Sequence, residues 1–454
     1  MCGIAAFFGL NAPARTYRLL LELQHRGQES AGISCIVDND VKTVVRSGYV
    51  LTALDLNEVS CLNSTVAIGH VRYSTSGGYM GSEGAQPIKV GSGNRVISLA
   101  FNGNIINYRE LSKTYLNSEC RSDSETLAKL VYELSNELGD TVEAVKKLSE
   151  LVIGSYSLVV LTSEPKIILA RDPHGFKPLA YVADDDLFVV ASETSALEAL
   201  GLSNWKELGP GEVLSYDGES LESVSSGIKC FTPCIFEYIY FSRPDTVFNG
   251  VQVHEARVRM GSYLGTYDEV NVDVAIPVPD SGRSAALGYS YAKRVRFDEG
   301  LFRNRYVGRS FIMPPGIREF ISSIKYGVVK SVIDGKKVAV IDDSLIRGLT
   351  LNEINKLLRC SGCSEIHVRI ASPPIRYPCF MGTDFPSRRE LIASKLNNVE
   401  SIAKAIYADS ILYNTIEGLK WATKLSSPCL ACFTGTYPFK DINVDSLESV
   451  FSRG

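Results

Sequence analysis

The stretch 336–359, KKVAVIDDSLIRGLTLNEINKLLR, runs from an apolar strand into two adjacent carboxylates, then through a loop of small residues into an amphipathic helix. Strand, loop and helix in that order predict one unit of a parallel sheet with crossover helices. A second such unit precedes it, NVDVAIPVPDSGRSAALGYSYA over 271–292. Ligands of open parallel sheets bind beyond the carboxyl ends of the strands, where Asp342 and Asp343 stand. Ser344, Arg347, Gly348 and Thr350 lead into the helix, and small residues at a helix start offer backbone N–H groups to a phosphate. Two acids repel a bare phosphate, so the fitting ligand is a sugar phosphate whose hydroxyls, or a Mg2+ ion, meet them. In isolation the same motif also reads as an acidic loop capping a helix. Asp280, Ser281 and Gly282 end the companion strand, and no GxxxxGK[ST] loop occurs, which disfavours a P-loop nucleotidase. Two anion loops point to one polyphosphate ligand.

Outward from these units the chain changes character. Its first 215 residues or so carry short apolar runs broken by Gly and Ser, such as VISLAFNGNI, YSLVVLTS and LFVVASET, with helical periodicity at 16–24, 123–137 and 141–151. This predicts an α+β sandwich of antiparallel strands. The polar, Gly/Ser-rich stretch 214–230 is read as the boundary. At 454 residues the chain is long for a single core, so two domains are expected. The net charge of −4, from 47 basic and 51 acidic residues spread along the chain, gives no overall field for nucleic acid. No apolar stretch is long enough to span a bilayer and no signal peptide opens the chain, so a soluble cytoplasmic protein is expected. In that setting the eleven cysteines read as reduced thiols, metal ligands or a nucleophile.

The chain begins MCGIAAFFGL. Removing Met1 gives Cys2 both a thiol and a free α-amine, whose pKa near neutrality lets it act as the thiol's own general base. Such a nucleophile needs no histidine. The rival is a Cys/His dyad using His70 or His25, but neither comes with an Asn or Asp that would orient it, and both read as structural. Asn102 and Gly103, in FNGNI, supply a side-chain amide and an unhindered backbone N–H for an oxyanion, although an Asn-Gly pair alone signals only a turn. Arg72 and Asp123 suit the carboxylate and ammonium of an amino acid, and Asp123 also reads as a helix N-cap.

Six segments in order, CGI, LQHRGQESAG, GHVRYST, FNGNIINY, SDSE and RDPHGFKPLA, resemble the class II glutamine amidotransferases, whose fold is an αββα N-terminal-nucleophile hydrolase sandwich. The resemblance implies that Cys2 attacks the side-chain amide of glutamine, that Asn102 and Gly103 hold the oxyanion, and that Arg72 and Asp123 bind the substrate with Arg26 near the pocket. The DDS loop resembles the type I phosphoribosyltransferases. Together with FEYIYFSRPDT and RNRYVGRSFIMPP, the chain resembles the glutamine phosphoribosylpyrophosphate amidotransferases nearly end to end. That implies a glutaminase domain over 2–225 and a phosphoribosyltransferase domain over 226–454, with a flap near 303–326.

The implied reaction channels ammonia from glutamine to displace pyrophosphate from 5-phosphoribosyl 1-diphosphate, giving 5-phosphoribosylamine in the first committed step of purine synthesis. By the same resemblance Ser281, Asp342 and Asp343 meet Mg2+ and the ribose hydroxyls, and Ser344, Arg347, Gly348 and Thr350 form the 5-phosphate loop. Asp280, Ser281 and Gly282 would lie by the pyrophosphate, with Arg303, Arg305, Arg309 and Lys325 supplied by the flap. Leu349 stands where the family usually has a threonine, and the family's segment after the flap reads KYG here, which keeps Lys325 and changes the two residues that follow. Cys234, Cys379, Cys429 and Cys432 resemble the ligands of the family's [4Fe-4S] branch. Cys230 is a competitor, and Cys360 with Cys363 form a second CxxC read as structural. Purine nucleotide inhibitors and a homo-oligomer, dimer or tetramer, follow from the resemblance, with no nucleic-acid or membrane partner. The alternative is a sensor that keeps the fold without turnover. Glucosamine-6-phosphate synthase and asparagine synthetase share only the N-terminal half.

Overall fold

The computed structural model describes residues 1–73, 84–93, 95–184, 186–304, 326–383, 385, 387–396, 398–439 and 444–451. Alternating apolar residues in the N-terminal half build two antiparallel sheets. The first has seven strands, with Gly3–Phe8 at its centre between Leu187–Ala191 and Val66–Arg72. The second has six, with Arg95–Ile105 paired to Gly154–Thr162. Side chains on successive strand positions point to opposite faces, so each sheet feeds two cores. Ile4, Ala6, Ile68, Ala100, Val159 and Leu169 interleave between the sheets. Residues from the outer faces pack under the helix Ala12–Glu22 on one side and under Asp123–Leu138 and Thr141–Leu151 on the other. The result is an αββα sandwich.

The boundary stretch 214–230 contains regular structure. Glu212–Tyr216 and Leu221–Ser225 form an antiparallel hairpin at the edge of the six-stranded sheet. It is polar because its outer strand faces water on an exposed sheet edge. The chain leaves the sandwich after Ser225 and runs back along it, with Cys230 N–H donating to Pro173 O and Cys234 N–H to Phe176 O.

The second half is a five-stranded, wholly parallel sheet in the order Arg296–Phe297, Val274–Pro277, Lys337–Asp342, Glu365–Ile370, Ser410–Tyr413. Ala275, Ala339 and Ile341 face the helices Val253–Tyr267 and Arg283–Lys293, while Val274, Ile276, Val338 and Val340 face Leu349–Cys360 and Val399–Ala405. Both faces are covered, which explains the continuous apolar runs. Among the described residues no helix is long and apolar enough to cross a membrane.

The helices Val253–Tyr267 and Arg283–Lys293 touch through backbone. A Cβ on Gly261 would lie 1.8 Å from Ala285 O, and one on Gly288 1.8 Å from Val258 O. That contact fixes the helix that starts at the 280–282 loop. Gly261→Ala must separate the pair and is expected to cost about 1–3 kcal/mol, read as a lower thermal midpoint. An unchanged midpoint would contradict the close packing.

Candidate active sites

Cys2 ends up buried because the strand Gly3–Phe8 that follows it is the centre of its sheet. Its nitrogen, a peptide N–H here and the α-amine once Met1 is gone, donates to Asn102 Oδ1 at 3.1 Å. Its Sγ lies 3.6 Å from Tyr73 O. Asn102 is 0% exposed, and among the described residues its Nδ2 has no hydrogen-bond partner. A buried amide donor without a partner is costly, so this atom is held ready for an acceptor beside the thiol. At Gly103 a Cβ would fall 1.9 Å from Ser155 O, so no larger residue fits.

Asp123 is the first residue of its helix, not the cap. Ser122 caps it, accepting from Glu125 N–H. This frees the Asp123 carboxylate to accept from Ile105 N–H at 3.2 Å and Ser124 N–H at 2.8 Å. Burial raises its pKa, and the Arg72 guanidinium among its neighbours opposes that rise. A Cβ on Gly84 would sit 3.2 Å from Arg72 Nη2 and 3.5 Å from Ser124 Oγ, which places the Arg72 head beside that helix start. The structure therefore brings Cys2, Asn102, Gly103, Arg72 and Asp123 together.

His70 is excluded as a base by its surroundings. Burial first, and then the Arg72 charge, push its imidazole down to about 3, so it stays neutral. His25 is engaged with Glu193 Oε1 at 2.8 Å. Arg26 is not open to a ligand either. It is buried, with Nε donating to Cys2 O at 2.9 Å, Nη1 to Glu193 Oε1 at 2.5 Å and Glu237 Oε2 at 3.0 Å, and Nη2 to Glu237 Oε1 at 3.0 Å.

In the second half Asp342 ends its strand and both acids are buried. Asp343 N–H donates to Asp342 Oδ1 at 2.9 Å. Burial raises the Asp343 carboxyl, while hydrogen bonds from Ser281 and Ser344 and the charge of Arg257 oppose the rise. The Ser281 bond joins the two anion loops. A Cβ on Gly282 would lie 2.4 Å from Ile341 O, so glycine is required for that approach, and the peptide between Pro279 and Asp280 is cis. Asp280 pairs with Arg283 at 2.9 Å and with Arg303 at 3.8 Å.

Gly348 caps the helix Leu349–Cys360 at φ +81° and, being glycine, makes no side-chain bond to the helix's first N–H groups. Thr350 is exposed there, and Leu349, 68% exposed, points a hydrocarbon at water where a hydroxyl was the expected residue. Arg347 is already paired, donating from Nε to Glu390 Oε2 at 2.7 Å. Arg305, Arg309 and Lys325 lie outside the described residues.

Cys234, Cys379, Cys429 and Cys432 are free thiols close enough to act on one another electrostatically, and Cys234 bridges to Cys429 through backbone. Burial, then repulsion among the four, raises the Cys432 thiol well above its ordinary range. Among the described residues no three His, Cys, Asp or Glu side chains converge to hold a single metal ion. Cys230 is exposed. Cys363 is buried against Lys336 O and Glu365 O, and burial pushes its thiol up to about 11, as suits a structural residue.

Residues 70–199 match a family described as the glutamine amidotransferase domain. The amidophosphoribosyltransferase of Pyrococcus horikoshii is 44% identical over 441 residues, covering 96% of both chains. That of Bacillus subtilis is 39% identical over 456 residues, covering 96% of this chain and 94% of the relative. The chain belongs to the amidophosphoribosyltransferase family. It is an enzyme of that class, a glutamine amidotransferase joined to a pentosyltransferase. The solved glutamine phosphoribosylpyrophosphate amidotransferase of B. subtilis, complexed with ADP and GMP, superposes with a TM-score of 0.88 at 38% identity over 98% of this chain and 99% of that one. A structure described as the allosteric regulatory enzyme of purine biosynthesis superposes at 0.89 with 37% identity, covering 98% of this chain and 99% of that one.

Sequence reasoning missed what surrounds Arg26 in this family member. Glu193 and Glu237 lie in the apolar runs LFVVASET and CIFEYIYF, and a carboxylate inside an apolar run is the signal of a buried pair. Burial alone would raise the Glu193 carboxyl, but His25 and Arg26 hold it well below the usual range. Arg26→Met would strand two buried carboxylates. A loss of about 3–5 kcal/mol is expected in denaturant unfolding, and a loss under 1 kcal/mol would contradict the pairing.

Proposed function

We propose that this chain makes 5-phosphoribosylamine with the residues placed above. The observation that carries the glutaminase half is the divided amide of Asn102, whose Oδ1 holds the Cys2 nitrogen while its Nδ2 remains without a partner. With Met1 removed, the α-amine of Cys2 accepts the thiol proton and Sγ attacks the glutamine side-chain carbonyl. Charge develops on the carbonyl oxygen beside Asn102 Nδ2 and Gly103. The C–N bond then breaks, the α-ammonium returns its proton to the leaving nitrogen, and ammonia departs. Water cleaves the thioester to give glutamate. Arg72 binds the substrate carboxylate, and Asp123 accepts from the substrate ammonium, whose charge opposes the rise that burial gives its carboxyl.

At the second site ammonia attacks C1 of phosphoribosyl pyrophosphate, the C1–O bond breaks and pyrophosphate leaves. The helix start at Gly348 and the residues Ser344, Arg347 and Thr350 receive the 5-phosphate, with Arg347 exchanging Glu390 for it. Asp342 and Asp343 accept from the ribose hydroxyls. Mg2+ held by Asp342, Asp343 and Ser281 would supply charge neutralisation for the pyrophosphate. The donor set fits that ion, being hard oxygen ligands that leave room for substrate phosphates. Asp280, Ser281, Gly282, Arg305 and Lys325 are assigned to the pyrophosphate side. The pathway is purine synthesis, and the ADP and GMP of the B. subtilis relative suggest purine nucleotides as inhibitors here.

Cys234, Cys379, Cys429 and Cys432 are proposed to hold a [4Fe-4S] cluster. The Cys432 thiol, raised well above its ordinary range by burial and by the three neighbouring cysteines, needs cationic iron to exist as a thiolate, and a four-iron cube holds its ligands further apart than one ion does. The cluster's task here is structural. The loop after Cys379 is tied to the oxyanion strand and its neighbour, with Asn104 Nδ2 donating to Phe380 O at 2.8 Å and Ser155 Oγ to Met381 O at 3.0 Å.

Cys2→Ala is expected to abolish product formation from glutamine and to leave product formation from ammonia intact. Protein shown by mass to retain Met1 should behave in the same way. Glutamine-dependent product from either form would refute the nucleophile. Asn102→Ala should lower the glutamine-dependent kcat by about 10²–10³. Anaerobically purified protein should carry about four iron and four acid-labile sulfide per chain, and zinc without sulfide would exclude the cluster.

A further inference from the structure

Lys177 is 0% exposed, so its side chain has no water to turn to. Its Nζ lies 3.0 Å from Met1 Sδ and 5.9 Å from the centre of the Phe241 ring. Among the described residues no carboxylate pairs with it. Removal of Met1, which the glutaminase reading requires, takes away the thioether and leaves the ring. An aromatic face returns only part of what burying an isolated ammonium costs. A lysine kept in such a place needs an anion that its side-chain neighbours do not supply.

The fold sets this amine against the four cysteines. Phe176, the residue before it, accepts on its carbonyl from Cys234 N–H at 3.1 Å. The Phe176 side chain belongs to a small apolar core against which Cys379 and Cys429 pack. Phe241, whose ring faces the amine, packs against a second core that contains Cys234 and Cys432. Lys177 therefore enters between two apolar clusters that together hold all four cysteines. Its backbone is pinned on the sandwich side, where Ser157 Oγ donates to Lys177 O at 3.0 Å and Ser157 is paired with Asn102. From that fixed point its charge lowers the Cys234 and Cys429 thiols, against the rise that burial gives them.

On the cluster assignment made above, we propose that Lys177 is a positioning residue for the [4Fe-4S] cluster, holding a fixed positive charge against its four thiolates. Four thiolate ligands give such a cluster net negative charge, and net charge, burial and hydrogen bonding set how readily it gives up an electron. A neighbouring ammonium stabilises the electron-rich form, because little solvent screens the charge. Losing the ammonium makes electron loss easier. The same anion supplies the counter-charge that Lys177 lacks once Met1 is gone, so each group accounts for the place of the other.

The test uses the anaerobically purified full chain, unsubstituted and as Lys177→Met, Lys177→Gln and Lys177→Arg. Iron and acid-labile sulfide are measured first, and the cluster's visible absorbance is then followed in air-saturated buffer. Dioxygen takes one electron from the cluster and becomes superoxide, and the oxidised cluster sheds iron. Being uncharged, dioxygen is not steered by the substitution. Lys177→Met and Lys177→Gln, alike in lacking charge and unlike in shape, are expected to bleach at least about fivefold faster, and Lys177→Arg to stay within about twofold of the unsubstituted rate. Loss of iron from both neutral variants with retention in Lys177→Arg carries the same meaning. Unchanged bleaching in the neutral variants, or equal acceleration or iron loss in all three, would show a packing role and overturn the proposal. Where circular dichroism shows that one neutral variant does not fold, the other decides. Failure of both to fold overturns the proposal as well, because it gives the charge to the cluster and not to the fold. Zinc without sulfide in the unsubstituted enzyme would instead refute the cluster assignment itself.

Discussion

The structure turns on one buried cation. Arg26 belongs to the sandwich, and its guanidinium is shared by the backbone of Cys2, a carboxylate of its own half, Glu193, and a carboxylate of the other half, Glu237. None of these side chains is exposed, so none has water as an alternative partner. Removing Arg26 leaves two carboxylates buried without that cation, a state several kcal/mol above the paired one. The two halves are therefore held in one relative placement by the group that also fixes Cys2.

Other contacts converge on the same junction. Arg243 donates from Nη1 to Glu22 Oε2 at 2.7 Å and from its backbone N–H to Glu193 Oε2 at 2.9 Å, so the segment after Glu237–Phe241 is tied to the first helix of the sandwich. The loop after Cys379 reaches the oxyanion strand from the opposite direction, and a Cβ on Gly382 would stand 3.1 Å from the Gly103 backbone. Lys177, fully buried, lies between these regions. Its Nζ is 3.0 Å from Met1 Sδ, and its charge acts on the Cys234 and Cys429 thiols. Cys2 and the cysteines proposed to hold the cluster thus lie along one junction between the two halves.

Much of this was legible in the sequence where local chemistry dictates the residue. Cys2 followed by a central strand, Asn102 beside a glycine that nothing else can replace, and acids at the end of an apolar strand each declare themselves within a few positions. The parallel units were readable because strands covered on both faces are apolar throughout. What could not be read were contacts across long separations. Arg26 and Glu237 are 211 positions apart, and short-range periodicity does not connect them. The polar stretch 214–230 gave no sign of the edge hairpin it contains. At Asp123 the neighbouring serine caps the helix, which left the acid free for the site. The pairing of Arg347 with Glu390 had no signal at all, since both are surface residues.

The central claim is that ammonia released at Cys2 reaches the sugar phosphate inside one assembled molecule. The most direct measurement supplies glutamine labelled with 15N in its side-chain amide, phosphoribosyl pyrophosphate and Mg2+ in a large excess of unlabelled ammonium, and reads the isotope in the product amine. Internal transfer leaves the product labelled, nearly independent of the bulk ammonium present. Label diluted in proportion to that ammonium would mean that the nitrogen escapes to solvent, and that the shared interface does not carry it.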